Sequence, residues 1–180
     1  MTEPVLIARD VTKVFRTGKQ EVRALRGVSL QIAAGEFLAL VGPSGSGKTT
    51  LLNLVGALDV PTSGELIVLG KHIAELSGGQ QQRVAVARAV AARPALVLAD
   101  EPTANLDGEN AEVLMHLMRD LRDRHGMTFV FSTHDPRVVA HAVRVVTLVD
   151  GRVARDERTA GEQPHAIVPG VDRPTGSAHG

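Results

Sequence analysis

The stretch Gly42-Pro43-Ser44-Gly45-Ser46-Gly47-Lys48-Thr49 limits what this chain can fold into more than any other. It matches G-x-x-x-x-G-K-[ST], with the apolar run Phe37–Val41 before it and a helical pattern from Thr49 to about Ala57 after it. That strand–loop–helix setting is the context the motif needs. Glycines let the backbone wrap closely around a phosphate chain, and successive N–H groups and the helix start then point at the anion. Lys48 is placed to reach β- and γ-phosphates, and the Thr49 hydroxyl to coordinate Mg²⁺. The competing reading is a glycine-rich turn with an incidental lysine; the flanking strand and helix weigh against it.

Short apolar runs alternate with helical stretches along the rest of the chain. Residues 28–32, 37–41, 66–69, 95–99, 127–132 and 143–149 read as strands. Residues 77–92 and 109–124 read as helices, the first stopped by Pro94 and the second by a C-cap at Gly126. Leu114, Leu117, Met118 and Leu121 are spaced as one apolar stripe. The continuous run at 95–99 reads as a strand buried on both faces. Asp150-Gly151 reads as a hairpin turn. The alternation predicts an α/β domain with a mostly parallel sheet. Residues 156–180, polar and rich in Pro and Gly, read as a mobile tail after a domain at 1–155.

A second carboxylate-bearing strand end complements the loop. Residues 95–99 run into Asp100 and Glu101. Asp100 is placed to hold Mg²⁺, and Glu101 to polarise an attacking water. Alone, the pair would read better as the charged start of a loop; beside the phosphate loop the chemical reading is stronger. Leu76-Ser77-Gly78-Gly79-Gln80 opens a further helix, with Ser77 as N-cap and small residues that admit an anion. One nucleotide needs one such helix start, so two point to nucleotides shared across a dimer.

These segments together resemble the ATP-binding subunits of ABC transporters. Ser77, Gly78, Gly79 and Gln80, followed by Gln81-Gln82-Arg83, resemble the ABC signature. The segment from Leu98 to Asp107 resembles the Walker B strand joined to the D-loop, and Ser132-Thr133-His134-Asp135 the switch histidine. The resemblance, closest to the lipoprotein-release and macrolide-export branch, runs from about Val5 to about Val153. It implies a P-loop ATPase core with an N-terminal antiparallel β-part. It also implies ATP and Mg²⁺ as cofactors, with the loop residues Gly42, Pro43, Ser44, Gly45, Ser46, Gly47, Lys48, Thr49 and Thr50 around the phosphates. Phe15 falls where the family stacks a ring on adenine, and His134 where it steadies the γ-phosphate. Ser77, Gly78, Gly79 and Gln80 complete the opposing subunit's site, and Asp107 contacts the dimer partner. Partners implied are a second ABC subunit, identical or paired, and an integral membrane permease. The permease would hold the chain on the cytoplasmic face of the cell membrane.

One departure stands out. The family separates the phosphate loop from the signature by a long stretch holding a core strand, the Q-loop glutamine and most of a helical subdomain. Here residues 66–70 lead through 71–75 straight into Leu76, and no glutamine lies between Thr49 and Gln80. The departure predicts a shortened helical subdomain, a gap or open edge in the sheet, and impaired hydrolysis and coupling. It keeps a second reading open: a non-catalytic remnant that binds ATP or a partner subunit without driving transport.

Composition narrows the remaining classes. With 20 basic and 20 acidic residues and formal net charge zero, no basic surface invites nucleic acid. The absence of long coiled-coil heptads likewise disfavours a DNA-maintenance ATPase. The absence of cysteine excludes disulfides and thiolate metal sites. No apolar run approaches the ~20 residues that span a bilayer.

Overall fold

A computed structural model of the chain describes residues 3–18, 20–73 and 94–159. Two long strands, β1 (Pro4–Thr17) and β2 (Gln20–Ala33), form an antiparallel hairpin. The core strand β3 (Phe37–Val41) leads into helix α1 (Lys48–Val55). Strands β4 (Ser63–Val68) and β5 (Lys71–His72) return to β1, giving an antiparallel sheet of order β2-β1-β4-β5. After β6 (Leu96–Asp100) come helix α2 (Gly108–His125), strand β7 (Thr128–Ser132), the short helix α3 (Pro136–Val139), and the hairpin β8 (Arg144–Val149) and β9 (Arg152–Arg158). These strands make the second sheet, β6-β7-β3-β8-β9. Its pairs are parallel except β8–β9, which the Asp150-Gly151 turn makes antiparallel. Both turn residues have positive φ, 48° and 72°, as a tight hairpin requires.

Alternation along β3 divides the core. Leu38 and Leu40 face α1 and the antiparallel sheet, packing with Leu51, Leu54, Val130 and Val146. Phe37 and Ala39 face α2 and α3, packing with Met115, Met118, Phe131 and Val138. A strand that is apolar on both faces requires such a cover on each side. The parallel sheet is therefore a middle layer, and the C-terminal ends of β3, β6 and β7 come out together.

Three expectations change. On α2 the buried face is Ala111, Met115, Met118 and Arg122, while Leu114 and Leu121 are half-buried and Leu117 is 52% exposed. The helix is rotated so that its methionines, not Leu117, fill the second core. Strand β6 is not buried on both faces: Leu96 is buried, but Val97, Leu98 and Ala99 are half-exposed. It lies at the sheet edge, and among the described residues only β7 pairs with it. Among the described residues the missing core strand leaves an open edge, one of the two expected outcomes, and no gap inside the sheet. The expected helix at residues 77–92, with Ser77, Gly78, Gly79 and Gln80, lies outside the described residues.

The third change concerns the start of the tail. Strand β9 runs to Arg158, so 156–158 belong to the sheet. Arg144, 7% exposed, donates to Glu36 at 2.8 Å, to the Gln31 carbonyl at 2.8 Å and to both carboxylate oxygens of Asp156 at 2.7 Å. Arg158 donates to the other oxygen of Glu36 at 2.5 Å. Glu36 is 3% exposed, and a buried carboxylate is retained only when paired. The Arg144 hydrogen bonds hold the Asp156 carboxyl below its ordinary range despite partial burial. That contribution is present above the unfolded pKa and is lost as pH falls through the lowered folded value. Ending the chain at Arg155 should cost roughly 2–4 kcal/mol, the range for stripping hydrogen-bonded partners from buried charges. Thermal unfolding should show a Tm lower by about 5–15 °C, whereas a chain ending at Thr159 should melt like the full length. Equal Tm for the Arg155 and Thr159 truncations would show that the ion network contributes nothing.

Candidate functional site

The phosphate loop sits at the C-terminal end of β3, where its glycines are sterically required. A Cβ on Gly42 (φ 147°) would lie 2.1 Å from the Leu148 carbonyl oxygen, and one on Gly47 (φ 104°) 2.7 Å from that of Ala24. The loop is therefore pressed against β8 and β2 and could not be built from larger residues. Gly47 precedes the first turn of α1, whose N-terminus opens into the loop. Lys48 Nζ donates to the carbonyls of Gly42 (2.8 Å) and Pro43 (3.0 Å), which holds the ammonium over the loop. Ser46 Oγ is the one buried side-chain polar atom without a partner among the described residues.

Neighbouring strand ends supply the carboxylates. Parallel pairing sets Asp100 of β6 beside Ser132 of β7. Thr49 Oγ1 donates to Asp100 Oδ2 at 2.8 Å across the cleft, and Ser132 Oγ donates to Asp100 Oδ1. Glu101 follows in the left-handed region at φ 50°, and its N–H donates to Ser132 Oγ at 3.0 Å. His134 Nδ1 lies 3.0 Å from both Glu101 carboxylate oxygens. That hydrogen bond, aided by the Glu101 charge, raises the His134 pKa above its ordinary value although the ring is exposed. The imidazolium–carboxylate pair is complete below the ordinary histidine pKa and is lost as pH rises through the raised one. Replacing Glu101 with Gln should lower the His134 midpoint in an NMR titration toward 6.5; an unmoved midpoint would show that Glu101 is not its cause.

The cleft has a volume of about 630 Å³. It is lined by Phe15, the loop from Gly42 to Thr50 except Pro43, Asp100, Glu101 and His134, which with residues 22–24 of β2 makes five separate segments. Pro43 enters through its carbonyl on Lys48. Phe15 is 42% exposed at the outer wall, with Lys13 Nζ 5.1 Å from its ring centre. Val22, Arg23 and Ala24 of β2 also line the wall; the sequence reading omitted them, and the β1–β2 hairpin, with Val22 opposite Phe15, places them here. Asp107 stands apart as the N-cap of α2, accepting from Asn110 N at 2.8 Å.

Both cofactors fit these residues. Glycine-lined backbone, a helix start and an ammonium converge on one space, as a phosphate chain requires. A threonine hydroxyl and a carboxylate in contact suit a hard divalent cation. Among the described residues no three His, Cys, Asp or Glu side chains converge on a metal position. A cation here would take its other ligands from water and phosphate, as Mg²⁺ does.

Fold and cleft together define a phosphate-loop ATPase. The sequence matches the ABC transporter family over residues 25–75 and 67–104. It is 36% identical to the lipoprotein-releasing system ATP-binding protein LolD of Anaeromyxobacter dehalogenans (strain 2CP-C), covering 85% of this chain and 94% of that protein. It is 32% identical to the macrolide export ATP-binding/permease protein MacB of Syntrophobacter fumaroxidans (strain DSM 10017 / MPOB), covering 94% of this chain but 34% of that longer protein. Among solved structures, a dimeric post-hydrolysis state of the ATP-binding cassette MJ0796 bound to ADP and Pi superposes with TM-score 0.76. It is 30% identical, and the match covers 87% of this chain and all of that one. The chain belongs to the ATP-binding subunits of the ABC transporter family.

The same comparisons locate the shortening. The LolD alignment spans 224 positions, more than the 180 residues available, so the relative carries a long stretch that this chain lacks. The family match breaks and restarts between residues 67 and 75, where the sequence leaves no room for the Q-loop strand.

Proposed function

We propose that this chain hydrolyses Mg-ATP in the cleft to drive a transporter of the lipoprotein-release or macrolide-export type. The observation that carries the chemistry is the convergence of Lys48, Thr49, Asp100, Glu101 and His134 on one cleft. Lys48 and the backbone of residues 42–49 hold the β- and γ-phosphates, with Thr50 at the helix start and Phe15 against adenine. Thr49 and Asp100 would hold Mg²⁺, which neutralises phosphate charge. Glu101 polarises a water that attacks the γ-phosphorus. The bond to the β–γ bridging oxygen breaks, releasing ADP and phosphate. His134, oriented by Glu101, steadies the γ-phosphate oxygens. Ser77, Gly78, Gly79 and Gln80 face the nucleotide of an opposing subunit, and Asp107 lies at that dimer contact. An integral membrane permease receives the work and holds the chain on the inner face of the cell membrane; among the described residues no helix is long and apolar enough to cross a membrane.

The remnant reading draws on the open β6 edge and the lost Q-loop segment. Assembly separates the two. Glu101→Gln slows hydrolysis and should trap an ATP-bound dimer, seen by light scattering as a doubling of mass with Mg-ATP. A monomer at every protein and nucleotide concentration would favour the remnant.

A further inference from the structure

Ser132 closes a strand whose other residues, Thr128, Phe129, Val130 and Phe131, are all buried. It is itself 0% exposed. A hydroxyl placed there needs partners, and packing alone would be served by valine or alanine. Both its bonds go to the cleft's acidic pair: it donates to the Asp100 carboxylate and accepts from the Glu101 N–H at 3.0 Å. The other Asp100 oxygen is taken by Thr49 at 2.8 Å, so the carboxylate is fixed at both ends. Glu101 adopts φ 50°, a conformation a non-glycine residue keeps only where its surroundings enforce it. The bond to Ser132 is one of those enforcing contacts.

We propose that Ser132 is a positioning residue for hydrolysis: its one hydroxyl fixes the Asp100 carboxylate and the Glu101 backbone in a common frame. The metal-holding and water-polarising groups then keep their separation through the cycle. This rests on the proposed ATPase chemistry, although the hydrogen-bond frame exists without nucleotide.

Ser132→Ala and Ser132→Thr in the full chain test it. With Ala, kcat should fall about 10- to 100-fold while the KM for ATP stays within about threefold, the pattern of a lost orienting contact. The Mg²⁺ concentration giving half-maximal rate should rise. Thr, which keeps the hydroxyl, should restore most of both. A second readout needs no activity: in the nucleotide- and metal-free chain, the Glu101 amide should exchange with solvent about tenfold faster in the Ala variant, while neighbouring β7 amides and Tm hold. Unchanged exchange at Glu101 overturns the proposal. So does faster exchange across all of β7, which would make Ser132 a plain packing residue. Should the unaltered chain fail to hydrolyse ATP, the ATPase reading falls, and the exchange measurement still decides the role of Ser132.

Discussion

Inserting a family-length segment between Gly70 and Leu76 should raise the ATPase rate of this chain about 10- to 100-fold and leave its ATP affinity nearly unchanged. Binding is local: the loop, Thr49 and Asp100 are already in contact around one cleft. Turnover asks for more, because phosphoryl transfer depends mainly on holding water and metal around the γ-phosphate, where an ångström of misplacement costs about 100-fold. The family places its Q-loop glutamine at that point, and no glutamine lies between Thr49 and Gln80 here. Among the described residues the strand that would carry it is also missing, and β6 stands at the edge of the sheet in its place. Coupling should change with it, since a partner can alter the cycle only through a surface it contacts differently in two states. The rate of phosphate release at saturating Mg-ATP, with and without the insert, reads the effect. A rapid rate in the chain as it stands, unchanged by the insert, would show that the segment is dispensable.

The parts of the site legible in the sequence were those whose spacing is local. Residues 42–49 announce themselves by glycines at fixed intervals between a strand and a helix, and Gly42 and Gly47 stand where a Cβ would clash. The Asp150-Gly151 hairpin was legible for the same reason. What depends on distant partners was not. Glu36 is 108 residues from Arg144 and 122 from Arg158, so the charges of β9 looked like the start of a solvated tail. The serine at 132 looked like the polar end of an apolar strand until register set it beside Asp100. Leu117 has the spacing of a core residue, yet the rotation of α2 is decided by the methionines that fit against Phe37 and Phe131. The loss of the Q-loop strand was legible as a distance too short for its contents, and the two overlapping family matches fall at that place.

That five side chains from three separate segments form one ATP site is tested most directly by calorimetric titration of Mg-ATP into the unaltered chain and into Lys48→Ala. Lys48 is the cation held over the loop by two backbone carbonyls. Against phosphate its charge-assisted hydrogen bonds are worth about 2–3 kcal/mol, so their loss should weaken binding roughly 30- to 150-fold. ADP, which lacks the γ-phosphate, should lose less. Tm should hold, because Lys48 makes its described contacts within the loop and not with either core. The expected result is clear binding by the unaltered chain and little or none by the variant at the same concentrations. Equal affinity in the two chains would contradict the assignment, and the cleft beside residues 42–49 would not be where this protein holds ATP.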